Sequence, residues 1–199
     1  MLTSFNFTYC ESINVLGFLQ PFNILSSLIF FILAIWIWRD PSASFHRWGL
    51  LAISLGSVLW HATPISWTLI LDISAIGLWL LLYLTNGCKK LKLPLLPILS
   101  LGIISLLICG ILGQIFISWL PMMSGAFIPP VIITLILALQ QKKLSWIYTA
   151  LSMTLAIIAR ELDLTLCPWI PIGTHFLWHI GTGLSLIVPI SILKNRYRS

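Results

Sequence analysis

The sequence predicts an all-α membrane protein in which residues 1–199 form one domain, a bundle of seven transmembrane helices. The first observation is composition, since hydrophobic residues make up 59% of the chain and charged residues only 8%. So few charges cannot cover the surface of a soluble domain of 199 residues. The second observation is that the apolar segments are continuous rather than alternating, which is typical of helices and not of barrel strands.

Seven apolar runs mark the predicted helices. They cover residues 22–38, 48–62, 66–84, 93–119, 127–139, 144–159 and 175–193. The second and fifth runs are shorter than the ~20 residues of a full crossing, so we expect flanking turns or tilt to complete them. The fourth run could be divided into two helices, but no polar turn interrupts it before Pro121. One tilted helix is therefore the simpler interpretation.

The basic residues predict the orientation of this bundle, because Lys and Arg in short loops are retained on the cytoplasmic side. Arg160 alone of the eleven basic residues falls on the opposite side. We therefore expect the N-terminus outside and the C-terminus in the cytoplasm. The predicted location is a bacterial inner membrane with the polar end facing the periplasm, or the ER or Golgi with that end facing the lumen. This topology accounts for the net charge of +6 without nucleic acid as a partner. The sequence does not indicate an oligomeric state.

Two cysteines, Cys10 and Cys167, both fall in segments predicted to face outward, where disulfides can form. A bridge between them would close a long loop and stabilise the fold by a few kcal/mol in the chain-entropy model. We favour this bridge over the alternative of two unpaired thiols.

Three histidines lie at the predicted outer ends of their helices. His61 closes the second run, and His175 and His179 open the last one. The i, i+4 spacing places the two imidazoles of the last run on one helix face, as in helices that offer two nitrogens to Zn²⁺. His61 could supply the third ligand, which leaves a fourth position for water. The alternative is an interfacial pair hydrogen-bonded to loops.

Ser57 and Asp72 are predicted to lie at the same level as these histidines. Ser57 precedes His61 by one turn on the same face, and Asp72 lies about two turns into the next helix. An ionisable residue inside an apolar bundle is a functional candidate, and Asp72 would need a partner there. For Ser57 the alternative is a hydroxyl bonded to the carbonyl one turn earlier.

A charged cluster closes the sixth run and contains Arg160, Glu161 and Asp163. It could bind a head group or pair internally. We favour internal pairing.

Several of these residues belong to a longer series of short motifs. The series comprises Tyr9-Cys10-Glu11, Pro21-Phe22-Asn23, residues 56–63, Asp72, Leu162-Asp163 to Cys167, and residues 173–179. In order and spacing it resembles the alkaline ceramidases and their bacterial relatives, part of a wider group of seven-helix membrane hydrolases that includes the adiponectin receptors. The resemblance covers nearly the whole chain.

The resemblance implies roles for individual residues. His61, His175 and His179 match the metal ligands of the family, Ser57 and Asp72 match its catalytic serine and aspartate, and Cys10 and Cys167 match its disulfide. The implied activity is zinc-dependent cleavage of ceramide or a related lipid amide to a fatty acid and a sphingoid or other amine base. Asp72 would then shuttle the proton and Ser57 would donate to the oxyanion.

A second metal is the point at which this chain departs from the family. Members with a calcium site near the N-terminus usually have a glutamate where this chain has Gln20. Glu11 and Gln20 would be the remnant of such a site, and they offer too little charge for tight Ca²⁺ binding.

Two other classes of function remain open at this point. One is a non-catalytic lipid receptor, or a protein with a structural zinc, on the same scaffold. The other is a transporter, which we rank last because the inner halves of the predicted helices lack polar groups.

Overall fold

The computed structural model describes residues 8–14, 19–40, 44–90, 122 and 124–195. Within these ranges the chain forms α-helices, one 3₁₀ turn and the segments that connect them. The helices are α1 (Cys10–Asn14), α2 (Pro21–Trp36), α3 (Ser44–Ala62), α4 (Ser66–Lys90), α5 (Ile128–Gln141), α6 (Leu144–Glu161), α7 (Asp163–Leu166) and α8 (His175–Asn195). The 3₁₀ turn, Ser124–Phe127, leads into α5. The predicted helix over residues 93–119 lies outside the described residues.

The prediction of seven transmembrane helices, with the N-terminus outside and the C-terminus in the cytoplasm, is wrong. Across the described ranges, no helix combines the length and the apolarity that crossing a bilayer requires. The predicted location in a bacterial inner membrane, or in the ER or Golgi, falls with it.

The error has a physical reason in the helices themselves. Helices α2 and α5 have 16 and 14 residues, fewer than the ~20 that span the hydrocarbon core. The longer helices carry ionisable groups, among them His46 and Arg47 in α3, Asp72 in α4 and Arg160 in α6. A whole-chain composition averages over these interruptions and cannot detect them.

Six of the helices pack in a closed ring. Helix α2 packs on α3, α3 on α4, α4 on α5, α5 on α6, α6 on α8, and α8 returns to α2. The central cluster on the side of α2 and α3 is formed by Phe30, Leu33, Ile37, Leu50, Ile53 and Trp79. Large apolar side chains also lie exposed on the outer faces of the ring. Apolar side chains thus lie both inside the ring and on its outer surface.

A glycine determines how closely α3 approaches α4. A Cβ atom at Gly56 would lie 2.9 Å from the Cα atom of Asp72 and 3.2 Å from the carbonyl carbon of Leu71. Contacts this short with backbone cannot be relieved by rotating a side chain. Only glycine permits the spacing that places Asp72 beside the segment containing Ser57.

The disulfide predicted between Cys10 and Cys167 is confirmed. It joins α1 to the segment after α7, with the two Cα atoms 5.4 Å apart and 157 positions separating the residues in sequence. The bridge therefore ties the segment that precedes α2 to the segment that precedes α8.

We predict that Gly56→Ala lowers the thermal midpoint of unfolding. Alanine favours a helix interior by up to about 1 kcal/mol over glycine, but overpacking against backbone costs about 1–3 kcal/mol. The control is Gly77→Ala in α4, where a Cβ atom meets no other atom within 4 Å. This control should leave the midpoint unchanged or raise it. Equal midpoints for the two variants, measured by circular dichroism, would contradict the packing described here.

Candidate metal centre

The three histidines predicted as ligands come together at one end of the helix bundle, where α3 ends and α8 begins. His61 lies in the last turn of α3, and His175 and His179 occupy one face of the first turns of α8. All three side chains are buried. One nitrogen from each lies within 4.8 Å of the others, so the group can hold a metal ion.

Hydrogen bonds fix which ring nitrogen of His61 faces inward. Its Nδ1 atom lies 2.7 Å from the amide oxygen of Gln20. An amide oxygen only accepts, so Nδ1 carries the proton and donates it. The Nε2 atom is therefore left unprotonated in the neutral ring.

The same reasoning applies to His179. The hydroxyl of Ser26 donates to the carbonyl of Asn23, and the Ser26 oxygen lies 2.8 Å from Nδ1 of His179. When the Ser26 hydroxyl donates to this carbonyl, Nδ1 of His179 is the donor in the Ser26–His179 pair. Outer hydrogen bonds of this kind orient the imidazole ligands of metal sites.

Two unprotonated nitrogens consequently face each other across a short distance. The Nε2 atoms of His61 and His179 are 3.3 Å apart. In these tautomers neither atom carries a proton, so the two lone pairs can share one cation. Nitrogens bound tetrahedrally to zinc at ~2.0–2.1 Å stand about 3.3–3.4 Å apart, so the observed distance fits such an ion.

Burial keeps the histidines in the neutral form that metal ligation requires. Desolvation lowers the pKa of His61 and of His175 well below the usual value, and the neighbouring His179 lowers both further. Desolvation, together with the positive charge of Arg160, lowers the pKa of His179 to about 3. The cluster therefore offers lone pairs rather than positive charge at neutral pH.

Asp163 positions the first ligand of α8. Its fully buried carboxylate accepts hydrogen bonds from the backbone N–H groups of Thr174 at 2.7 Å, His175 at 2.8 Å and Cys10 at 2.9 Å. Gly173 permits this approach, since it has a φ of +70° and a Cβ atom there would lie 2.2 Å from the carboxylate. The carboxylate thereby caps the N-terminus of α8, where His175 is the first residue.

Ser57 is hydrogen-bonded across the helix pair rather than within α3. Its oxygen lies 2.8 Å from that of Ser27, whose hydroxyl donates to the Asn23 carbonyl. When Ser27 donates to this carbonyl, Ser57 is the donor in the serine pair. The lone pairs of its oxygen are left toward Nε2 of His179, which is 3.4 Å away.

Asp72 lines the same cavity as Ser57, His175 and His179. Its Oδ1 atom is buried and has no hydrogen-bond partner among the residues that the structure describes. Burial raises the pKa of this carboxyl to about 7, although Arg160 opposes the shift. Asp72 is not part of the histidine cluster, but it shares the cavity wall with His175 and His179.

The cavity at this site has a volume of about 340 Å³, within the range of ligand pockets. It extends from His175 at the polar end to Leu186 on the same helix, a rise of about 16 Å at ~1.5 Å per residue. Apolar residues form most of the remaining wall, including Phe30, Ile53, Ile76, Leu80, Phe127, Met153 and Trp178.

Glu11 and Gln20, the predicted remnant of a calcium site, are both engaged near α2. Glu11 accepts hydrogen bonds from the backbone N–H groups of Phe22 at 2.6 Å and Asn23 at 3.0 Å, which caps the helix. Gln20 accepts from the Asn23 side chain at 2.9 Å as well as from His61. Their use by another metal stays a prediction.

Sequence reasoning missed several residues of the site. Asn23 and Ser26 hold His179 as described above, and the ring of Tyr9 packs on that of His175 with centroids 4.1 Å apart. A signal for the first two exists, because Asn23, Ser26 and Ser27 form a polar stripe on an otherwise apolar helix. Tyr9 and Asn23 both stand in the motif series described above, but that series assigned neither of them a role at the site.

Comparison with known family models, curated proteins and solved structures finds no match to this chain.

We predict that Gln20→Leu weakens zinc binding without removing a ligand. Loss of an outer hydrogen bond to a metal-binding histidine typically costs about 10–100-fold in affinity. Competition with a chelating dye would measure the dissociation constant. Gln141→Leu is the control, because Gln141 accepts from Trp146 at 3.0 Å between α5 and α6, away from the site. A constant unchanged in Gln20→Leu would show that this hydrogen bond does not orient His61.

Proposed function

We propose that this protein is a zinc-dependent amidohydrolase that cleaves the amide bond of ceramide or a related lipid. The products are a fatty acid and a sphingoid or other amine base. One observation carries the proposal: three buried, neutral imidazoles converge at the polar end of a long apolar cavity.

The donor set supports a catalytic site over a structural one. His61, His175 and His179 form a group of three, and among the described residues no fourth His, Cys, Asp or Glu joins it. Structural zinc sites usually have four protein ligands, whereas catalytic sites have three. When bound, zinc supplies Lewis-acid polarisation of a carbonyl and makes water acidic enough to react at neutral pH.

The cavity supports a substrate with a long apolar chain. Most of its wall is apolar from Phe30 and Ile53 to Leu186. The hydroxyls along this stretch donate to carbonyls of their own helices, and they belong to Thr134, Thr149, Thr182 and Ser185. A lipid amide entering with its acyl chain along α8 would bring its carbonyl to the three imidazoles. The chain would thereby replace water along the apolar wall, which favours binding by about 25 cal/mol per Å².

Asp72 is the residue we assign to proton transfer. Hydrolysis breaks the C–N bond, adds the hydroxyl group of water to the acyl carbon and leaves a proton for the amine nitrogen. The unpartnered Oδ1 atom of Asp72 can take a proton from water and deliver it to that nitrogen. A pKa near the operating pH suits a group that must both accept and release a proton.

Ser57 is assigned to the carbonyl oxygen. Its hydroxyl lies beside the nitrogen cluster and donates to Ser27, so a rotation about its side-chain bond can aim the proton at a developing oxyanion. The motif resemblance to the alkaline ceramidases supports both assignments, because Ser57 and Asp72 match the serine and aspartate of that family.

The test of this proposal is hydrolysis by the purified, zinc-loaded protein. The substrates are a fluorescent ceramide and a panel of N-acyl amides, with release of fatty acid as the signal. We predict that Asp72→Asn lowers kcat by about 10²–10⁴-fold, the usual contribution of a positioned acid or base, while one zinc per chain is retained. Asp40→Asn is the control, since Asp40 follows α2 and is not among the residues that line the cavity.

One result would overturn the proposal, and another would remove only the role of Asp72. Zinc binding without turnover of any amide in the panel would favour a lipid receptor or a structural metal. Equal turnover by Asp72→Asn and the wild type would leave hydrolysis in place but remove Asp72 from it.

A further inference from the structure

Arg160 places a positive charge at the polar end of the cavity. It closes α6 and lines the cavity together with His175 and Asp72. The preceding residue, Ala159, accepts a hydrogen bond from the hydroxyl of Thr174 at 2.6 Å, so the end of α6 lies level with the start of α8. The guanidinium is thus near the metal centre and not at the deep end of the cavity.

The side chain is held by aromatic rings. The guanidinium carbon lies 4.9 Å from the ring centroid of Trp178 and 5.7 Å from that of Phe127. Cation–π contacts of this kind fix the plane of the guanidinium without using its N–H groups. Its donors are left for another partner.

The carboxylates nearest in sequence do not provide that partner. Glu161 accepts from the backbone N–H groups of Met122 and Ser124, both at 3.1 Å. Asp163 accepts from the three N–H groups at the start of α8 and in α1. Arg160 forms no ion pair within the described ranges, and its buried Nε has no hydrogen-bond partner there. The three charged side chains therefore do not pair with one another as predicted, because both carboxylates are bonded to backbone N–H groups.

The charges around the cavity favour an anionic ligand. Apart from the histidines, the acidic and basic side chains among the described residues of its wall are Asp72 and Arg160. A divalent metal on the histidines would leave the site with an excess of two positive charges. A single guanidinium fork binds one carboxylate through two parallel hydrogen bonds.

We propose that Arg160 binds a carboxylate on the amine side of the scissile amide, so that the preferred substrates are N-acyl amino acids. This inference rests on the proposed function for the position of the amide. With the acyl chain along α8 and the carbonyl at the histidines, the amine side of the substrate faces the end of α6. The carboxylate of an amino acid, two bonds from the amide nitrogen, then lies on the side where Arg160 offers its donors.

The experiment measures binding to the metal-free protein in the presence of a chelator, so that its result does not depend on turnover. The probes are N-lauroylglycine, the neutral N-lauroylethanolamine and laurate, each titrated calorimetrically. We expect N-lauroylglycine to bind wild type more tightly than the neutral amide. Arg160→Met should weaken N-lauroylglycine by about 10–100-fold, as for loss of charged hydrogen bonds, and leave the neutral amide within about twofold.

Arg47→Met is the matched control. Arg47 also stacks on tryptophans, with its guanidinium carbon 4.7 Å from the ring of Trp38 and 5.8 Å from that of Trp48, but it is not among the cavity residues. This variant should bind all three probes as the wild type does. Arg160→Lys tests folding and geometry together, because it keeps the charge on the rings but loses the planar fork. It should bind N-lauroylglycine with intermediate affinity.

The outcomes separate this inference from the proposed function. Equal loss of the glycine conjugate and the neutral amide in Arg160→Met would overturn the carboxylate assignment. A larger loss for laurate than for N-lauroylglycine would overturn it too, because Arg160 would then bind the fatty-acid carboxylate. If the carboxylate selectivity is found but the zinc-loaded protein hydrolyses neither amide, the proposed function fails and the binding site stands.

Discussion

The buried carboxylate of Asp163 in α7 holds α1 and the start of α8 together, although α1 lies 153 positions away in sequence. It accepts backbone N–H groups from α1 and from the first residues of α8, and the disulfide between Cys10 and Cys167 closes the same junction. A carboxylate removed from water is costly unless several donors replace its hydration, and three N–H groups do so here. The start of α8, and with it His175, is therefore fixed by a charged interaction that tolerates little displacement. The ring of helices closes around the histidine cluster, in which this junction determines the position of His175.

The second feature on which the account depends is the division of polar from apolar groups along the cavity. At one end the Nε2 atoms of His61 and His179, and the oxygen of Ser57, direct lone pairs toward the same small volume. In the tautomers described above, the Nδ1 protons of both rings and the hydroxyl proton of Ser57 point away from this volume. Their acceptors are Gln20, Ser26 and Ser27. Such a concentration of acceptors is unfavourable without a cation. The rest of the cavity wall is mostly apolar, and its hydroxyl groups are bonded to carbonyls of their own helices, so the two ends favour different parts of one ligand.

The sequence predicted which residues form the site better than it predicted whether the helices span a membrane. The i, i+4 spacing of His175 and His179 determines a shared helix face, and His61 and Ser57 are related by one turn, so local geometry alone brings these pairs together. The close approach of α3 to α4 at Gly56 could not be foreseen, because a glycine in an apolar run has several ordinary meanings. The predicted apolar runs have nearly the same bounds as the described helices, but composition does not show where ionisable groups interrupt the longer ones. Arg160 was assigned to internal pairing because sequence shows which charges are neighbours along the chain and not which of them are already bonded to backbone.

The central claim is that His61, His175 and His179 bind one metal ion. The most direct measurement is the metal content of the purified protein by mass spectrometry, for the wild type, His179→Ala and His46→Ala. The fourth histidine, His46, packs against Trp79 with ring centroids 5.6 Å apart and is outside the cluster, so it serves as the control. The account predicts about one zinc per chain in the wild type and in His46→Ala, and loss of most of it in His179→Ala. Equal zinc in all three proteins, or none in a wild type that has been offered zinc, would contradict it.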